Sequence, residues 1–95
     1  MRVSIGTSRG GQIASGNDPV LAAEFHARST NANPAYVAGS GVGPDSGREL
    51  VPGESFNLNF SQPGMDPHAG RILISELYVS VSGPDDRVDW VVILK

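Results

Sequence analysis

The chain has no cysteine, which excludes a disulfide framework and any metal held by thiolates. Only His26 and His68 offer imidazole ligands. That is too few for a cupin-type centre, which needs about three histidines and a carboxylate, and no resident metal or cofactor is expected. No apolar run approaches the roughly 20 residues of a membrane-spanning helix. Met1-Arg-Val-Ser-Ile5 lacks the apolar core of about 7–15 residues that marks a secretory signal, so export is not expected, and the glycosylation-like triplet Asn59-Phe-Ser61 is read as chance. Basic residues never run together: seven Lys and Arg are scattered against ten Asp and Glu, for a net charge of −3. The basic stripe that dominates nucleic-acid affinity is missing. Neither nucleic acid nor membrane is an expected partner.

What is present is turn chemistry. Twelve glycines and seven prolines in 95 residues interrupt the chain too often for long helices. The length allows one domain and not two. A domain of this size buries only about 60–65% of its unfolded surface. Without disulfides or metal, association between subunits is the remaining means of support.

Alternation supplies the strands. In Val20 to Ser29, Leu21, Ala23, Phe25 and Ala27 share one face, and Ala22, Glu24, His26 and Arg28 the other, the period-two pattern of a half-buried strand. Ala, Leu and Glu also favour a helix, but the charges would ring a helix less cleanly, and the strand is preferred. Ala35 to Ala38 reads as a short strand after the turn Asn31 to Pro34. Gly39 to Gly47 is a loop, and Pro52-Gly53 suits the centre of a type II turn. Phe56, Leu58 and Phe60 alternate with Asn57 and Asn59. Ser61 to Gly70 is a second loop. From Arg71 to Ser82 the apolar parity changes between Ile74 and Leu77, so a bulge or one-turn kink at Ser75-Glu76 is required to put both sets in one core. Val88, Trp90, Val92 and Leu94 form the apolar face of the last strand, whose other face is apolar too from Val91 onward; it belongs inside a sheet or at a subunit contact. Strands separated by turns about every 8–12 residues predict an all-β fold, a small antiparallel β-sandwich or barrel, over residues 20–95. Residues 1–19 have few large apolar side chains and are predicted to form an extended Gly-rich N-terminal arm, with at most a short strand at Val3 to Ile5.

Chemistry-bearing clusters have ordinary readings. Gly10-Gly11-Gln12 matches the release-factor tripeptide without its basic context. Gly39-Ser-Gly-Val-Gly43 has the glycines of a phosphate loop but leads into Pro44-Asp-Ser-Gly47 rather than a helix N-terminus. Asp85, Asp86 and Asp89 offer oxygens for calcium, or form a solvated turn with Arg87 beside Asp86. Asp66-Pro-His68 lacks a third partner. No serine lies in a Gly-x-Ser-x-Gly elbow, and no particular Ser-His-Asp set is nominated.

The order of motifs from Ala35 to Leu94 resembles a small β-domain found among structural proteins of tailed bacteriophages. The stretches that carry the likeness are Ala35-Tyr-Val-Ala-Gly-Ser40, the turn Leu50-Val-Pro-Gly-Glu54-Ser, the strand Ile74-Ser-Glu-Leu-Tyr78-Val, and the closing strand Val88-Asp-Trp90-Val-Val-Ile. The resemblance implies a non-enzymatic virion protein made in the host cytoplasm and carried on the capsid surface, with no catalytic residues. Capsid decoration, or cement, is the commonest role for a compact chain of this kind. Its partners would be the major capsid protein and further copies of itself, as a homotrimer at a local three-fold axis. An arm that orders on a partner surface would contact the shell through Arg2, Val3, Ile5, Arg9 and Ile13. Tyr36, Trp90, Val91 and Ile93 would join subunits. The competing expectation is a tail or neck accessory, or a module whose loops bind host glycan.

Overall fold

The computed structural model describes residues 2–38, 47–59 and 72–94. Phe60, the loop Ser61 to Gly70 with Asp66 and His68, and all of the Gly39 loop except Gly47 lie outside the described residues. Two four-stranded antiparallel sheets pack face to face, a β-sandwich. Strands β1 (Arg2–Ser8), β3 (Val20–Ala27), β6 (Ser55–Asn59) and β8 (Val88–Leu94) make the first sheet, in the order β1-β8-β3-β6. Strands β2 (Gly11–Gln12), β4 (Ala35–Ala38), β5 (Arg48–Leu50) and β7 (Tyr78–Ser80) make the second, in the order β2-β7-β4-β5. Apart from the β4–β5 step, the chain changes sheet at every connection. Its core is therefore built from residues distant in sequence.

β8 and β3 form the spine. Val88, Trp90, Val92 and Leu94 point inward and are buried, facing Ala27, Phe25, Ala23 and Val20 of β3 across the ladder. Leu50, Val37, Ala35, Val79, Leu77 and Ile74 close the core from the second sheet and the segment before it. Full burial of a side chain the size of Phe25 contributes about 1.5–3 kcal/mol.

The parity change before Val79 is resolved as the pattern requires. Ile74–Glu76 winds into a single 3₁₀ turn, with the Glu76 carboxylate accepting from the Leu73 N–H at 3.2 Å. Ile74, Leu77 and Val79 all reach the core as a result. Val51-Pro-Gly-Glu54 closes with the Glu54 N–H donating to the Val51 carbonyl at 2.9 Å, and Gly53 takes the positive φ of 89° that a type II turn demands of its third residue.

Two expectations are corrected. A bulge between Val20 and Ala22 shifts the β3 register, so Val20 enters the core in place of Leu21, which is half-buried. Residues 1–19 do not stand apart as an arm. β1 pairs with β8 through seven consecutive positions, from Arg2 opposite Leu94 to Ser8 opposite Val88. β2 pairs with β7, and the Ile13 N–H donates to the Leu77 carbonyl at 3.1 Å. The segment needs no bulky core residues of its own because β8 supplies them. Trp90 lies across from Gly6, and a Cβ on Gly6 would sit 2.5 Å from the indole Cζ2. Only glycine lets this strand close over the ring.

Candidate functional site

The outward face of the first sheet has an apolar end and a polar end. β1 is patterned inside out: Ser4, Gly6 and Ser8 share the inward parity of Trp90, while Val3 and Ile5 point to solvent at 60% and 73% exposure. Across the ladder Val3 faces Ile93 and Ile5 faces Val91. Val91 is itself 37% exposed. Beyond it the face turns polar, with Glu24 of β3 beside Val91 and Asn57 of β6 beside Glu24, around an open concavity of about 390 Å³ that Ala22, Val91 and Ile93 also line. Apolar surface of this kind, contiguous and rimmed by polar groups, marks interaction sites.

Four polar residues make a row at the other end. Ser55, His26, Asp89 and Thr7 occupy matched positions on β6, β3, β8 and β1. Arg28, just past β3, grips Asp89 bidentately, its Nε donating to Oδ2 and its Nη2 to Oδ1, both at 2.9 Å. Thr7 Oγ1 donates to Oδ1 at 2.6 Å. The bond to Asp89 and its charge raise the Arg28 pKa. The Asp89 pKa is lowered, first by the Arg28 bond, with Thr7 and nearby charge adding to it. The pair is surface-exposed, where ion pairs contribute little to stability.

Ser55, His26 and Asp89 are the residue types of a nucleophilic triad, and their geometry differs from one. The Ser55 hydroxyl lies 2.8 Å from His26 Nδ1, the ring nitrogen that a triad gives to its carboxylate, while the serine belongs on Nε2. Both Asp89 oxygens are engaged by Arg28, and Thr7 shares one of them. What the row does is link neighbouring strands on the outward face: Ser55 to His26 across β6 and β3, and Thr7 and Arg28 to Asp89 across β1, the end of β3 and β8. No local sequence signal marks it, because its members lie on four strands and meet only through sheet register.

The acidic cluster also separates. Asp86 is buried and fastens two loops: Oδ1 accepts from the Ala32 N–H at 2.8 Å, and Oδ2 accepts from the Gly83 N–H at 3.1 Å and from Asn33 Nδ2 at 3.4 Å. These bonds, the Ala32 N–H first, lower its pKa against the opposing cost of burial. Asn31 completes the clasp, its Nδ2 donating to the Arg87 carbonyl and its Oδ1 accepting from the Arg87 N–H, both at 2.8 Å. The solvated-turn reading of Asp86 is thus corrected. Arg87 does lie beside it, but its Nη1 donates to the Asp86 and Pro84 carbonyls rather than to the carboxylate. Among the described residues no three His, Asp or Glu side chains gather to hold a metal.

The residues expected at contacts are redistributed. Val3 and Ile5, assigned to the shell, and Val91 and Ile93, assigned to the subunit contact, form one surface. Arg2 is exposed and paired with Asp18, and Arg9 is exposed beyond the end of β1. Ile13 packs half-buried against the core. Trp90 is core, and its Nε1 is buried without a hydrogen-bond partner. Tyr36 lies on the other sheet, its hydroxyl donating to Glu49 Oε2 at 3.2 Å. The chain matches no protein-family model, curated protein or solved structure.

Proposed function

We propose that this protein is a non-enzymatic virion component that decorates the outer surface of a capsid, with the apolar end of the first sheet's outward face laid on the shell. The observation that carries this reading is the patch of Val3, Ile5, Val91 and Ile93. The protein's own fold leaves Val3, Ile5 and Val91 exposed beside the half-buried Ile93, and such a surface fits stable docking better than turnover. The motif order from Ala35 to Leu94 supplies the virion context. The polar row beside the patch adds a charged rim, which fixes orientation more than it adds affinity. Major capsid protein is the partner in this reading.

The test is the copy number of this chain in purified particles, measured by quantitative mass spectrometry against the major capsid protein. Hundreds of copies, near one per capsid subunit, are expected. A handful would move the protein to the neck or tail, and absence from the particle would overturn the virion reading. Removing residues 1–19 is not a clean test of contact, since it strips an edge strand from each sheet, β1 from the first and β2 from the second. Substitutions at Val3 and Ile5 address the surface without removing the strand.

A further inference from the structure

We infer that the outer edge of β1 is a self-association site, where two copies join β1 to β1 antiparallel about a two-fold axis and merge their first sheets. Among the described residues nothing pairs with that edge. It is also the longest open edge: β1 has seven residues, against two in β2, three in β5 and five in β6. Exposed edges are normally blunted by charged side chains, lysine above all, by proline or by a bulge. Arg2-Val-Ser-Ile-Gly-Thr-Ser8 has no proline or lysine and a single charge, Arg2 at its first position, and its ladder to β8 runs without a register shift.

The pattern of the strand selects a second copy of itself. With the axis through Ser4, Val3 of one copy faces Ile5 of the other, and Ile5 faces Val3. The four side chains meet on one side of the merged sheet and continue into Val91 and Ile93 of each protomer. Cross-strand apolar pairs of this kind stabilise sheets, and like charges set opposite each other destabilise them. In the antiparallel register Arg2 faces Gly6 of the other copy. A parallel arrangement would set Arg2 beside Arg2, so charge as well as shape favours the two-fold. The main-chain bonds gained along the edge are those of strand addition. This two-fold arrangement differs from the three-fold contact expected from the resemblance, and the experiment below separates them.

The test uses the isolated full chain, so its outcome is independent of the shell reading. Sedimentation equilibrium across a concentration series should show a monomer–dimer equilibrium. Ile5→Lys should abolish the dimer and leave the far-UV spectrum and Trp90 emission unchanged. Because the chain has no cysteine, register can be read by oxidation. A mixture of the Val3→Cys and Ile5→Cys variants should give a disulfide-linked heterodimer, and neither variant alone should cross-link comparably. A monomer at every concentration, a trimer, a dimer indifferent to Ile5→Lys, or Val3→Cys cross-linking to itself as readily as to Ile5→Cys would each overturn the inference.

Discussion

From Val91 onward both faces of β8 are apolar, and they do different work. Inward, Val88, Trp90, Val92 and Leu94 are all at 6% exposure or less. Outward, Val91 is 37% exposed, and its neighbours on β1, Val3 and Ile5, more so. Folding accounts for the first set. It does not account for the second, and β1 sharpens the point by presenting its small residues to the core and its large ones to solvent. Hydrophobicity alone therefore does not separate the residues that make this fold from those available to a partner. Position in the ladder does.

The contrast is broken most severely at Trp90. Trp90→Ala should cost about 3–5 kcal/mol, as large-to-small aromatic changes in cores do, read as a fall in the denaturation midpoint by circular dichroism. Trp90→Phe should cost much less, since it keeps a ring while removing the buried indole N–H that has no partner. Next is Gly6, where any side chain must displace the indole. Gly6→Val should cost about 1–3 kcal/mol through overpacking and, unlike outward substitutions on the same strand, should shift Trp90 emission.

Two aspartates extend the comparison to charge. Both Asp86 and Asp89 have lowered pKa values. A carboxylate held below its unfolded pKa contributes stability that is present above the unfolded value and lost as pH falls through the folded one. Acid titration of unfolding should therefore show stability falling through the range below the ordinary carboxylate pKa. Asp86→Asn should flatten that limb and lower stability at neutral pH, because loop N–H groups lose an ionised acceptor. Asp89→Asn should do less, and added salt should mimic it by screening Arg28.

Much of this division was legible in residues 20–94. The alternation of β8, the Pro52-Gly53 turn and the parity change at Ser75-Glu76 are local patterns, and local patterns report which side of a strand faces inward. The bulge that exchanges Leu21 for Val20 was not legible, because it arises from the ladder with β8. Neither was the place of β1. A strand with Ser4, Gly6 and Ser8 on its inward face carries no core signal, since the bulk over Gly6 comes from Trp90, 84 positions away. Asp86 looked like any turn acid because its partners Ala32 and Asn33 come from another loop. The candidate surface was half visible: its four apolar residues were singled out as two unrelated contacts, and only the β1–β8 register joins them.

The smallest expected effect on stability is the one that bears most on function. Val3→Glu and Ile5→Glu alter side chains that are 60% and 73% exposed, so each should move the unfolding free energy by no more than about 0.5 kcal/mol. If the outward face docks on a shell, the same substitutions should sharply reduce occupancy on particles in a binding assay, while the folded protein remains indistinguishable by circular dichroism. Ser15→Glu, an exposed change in the loop between β2 and β3, supplies the control for added negative charge and should bind normally. Full occupancy by both face variants would detach the apolar patch from the shell contact. Loss of binding accompanied by loss of stability would mean that β1 contributes more to the core than its inward serines and glycine suggest. Only loss of binding with stability retained would establish that the two faces of this sheet are separable, one committed to the fold and the other to a partner.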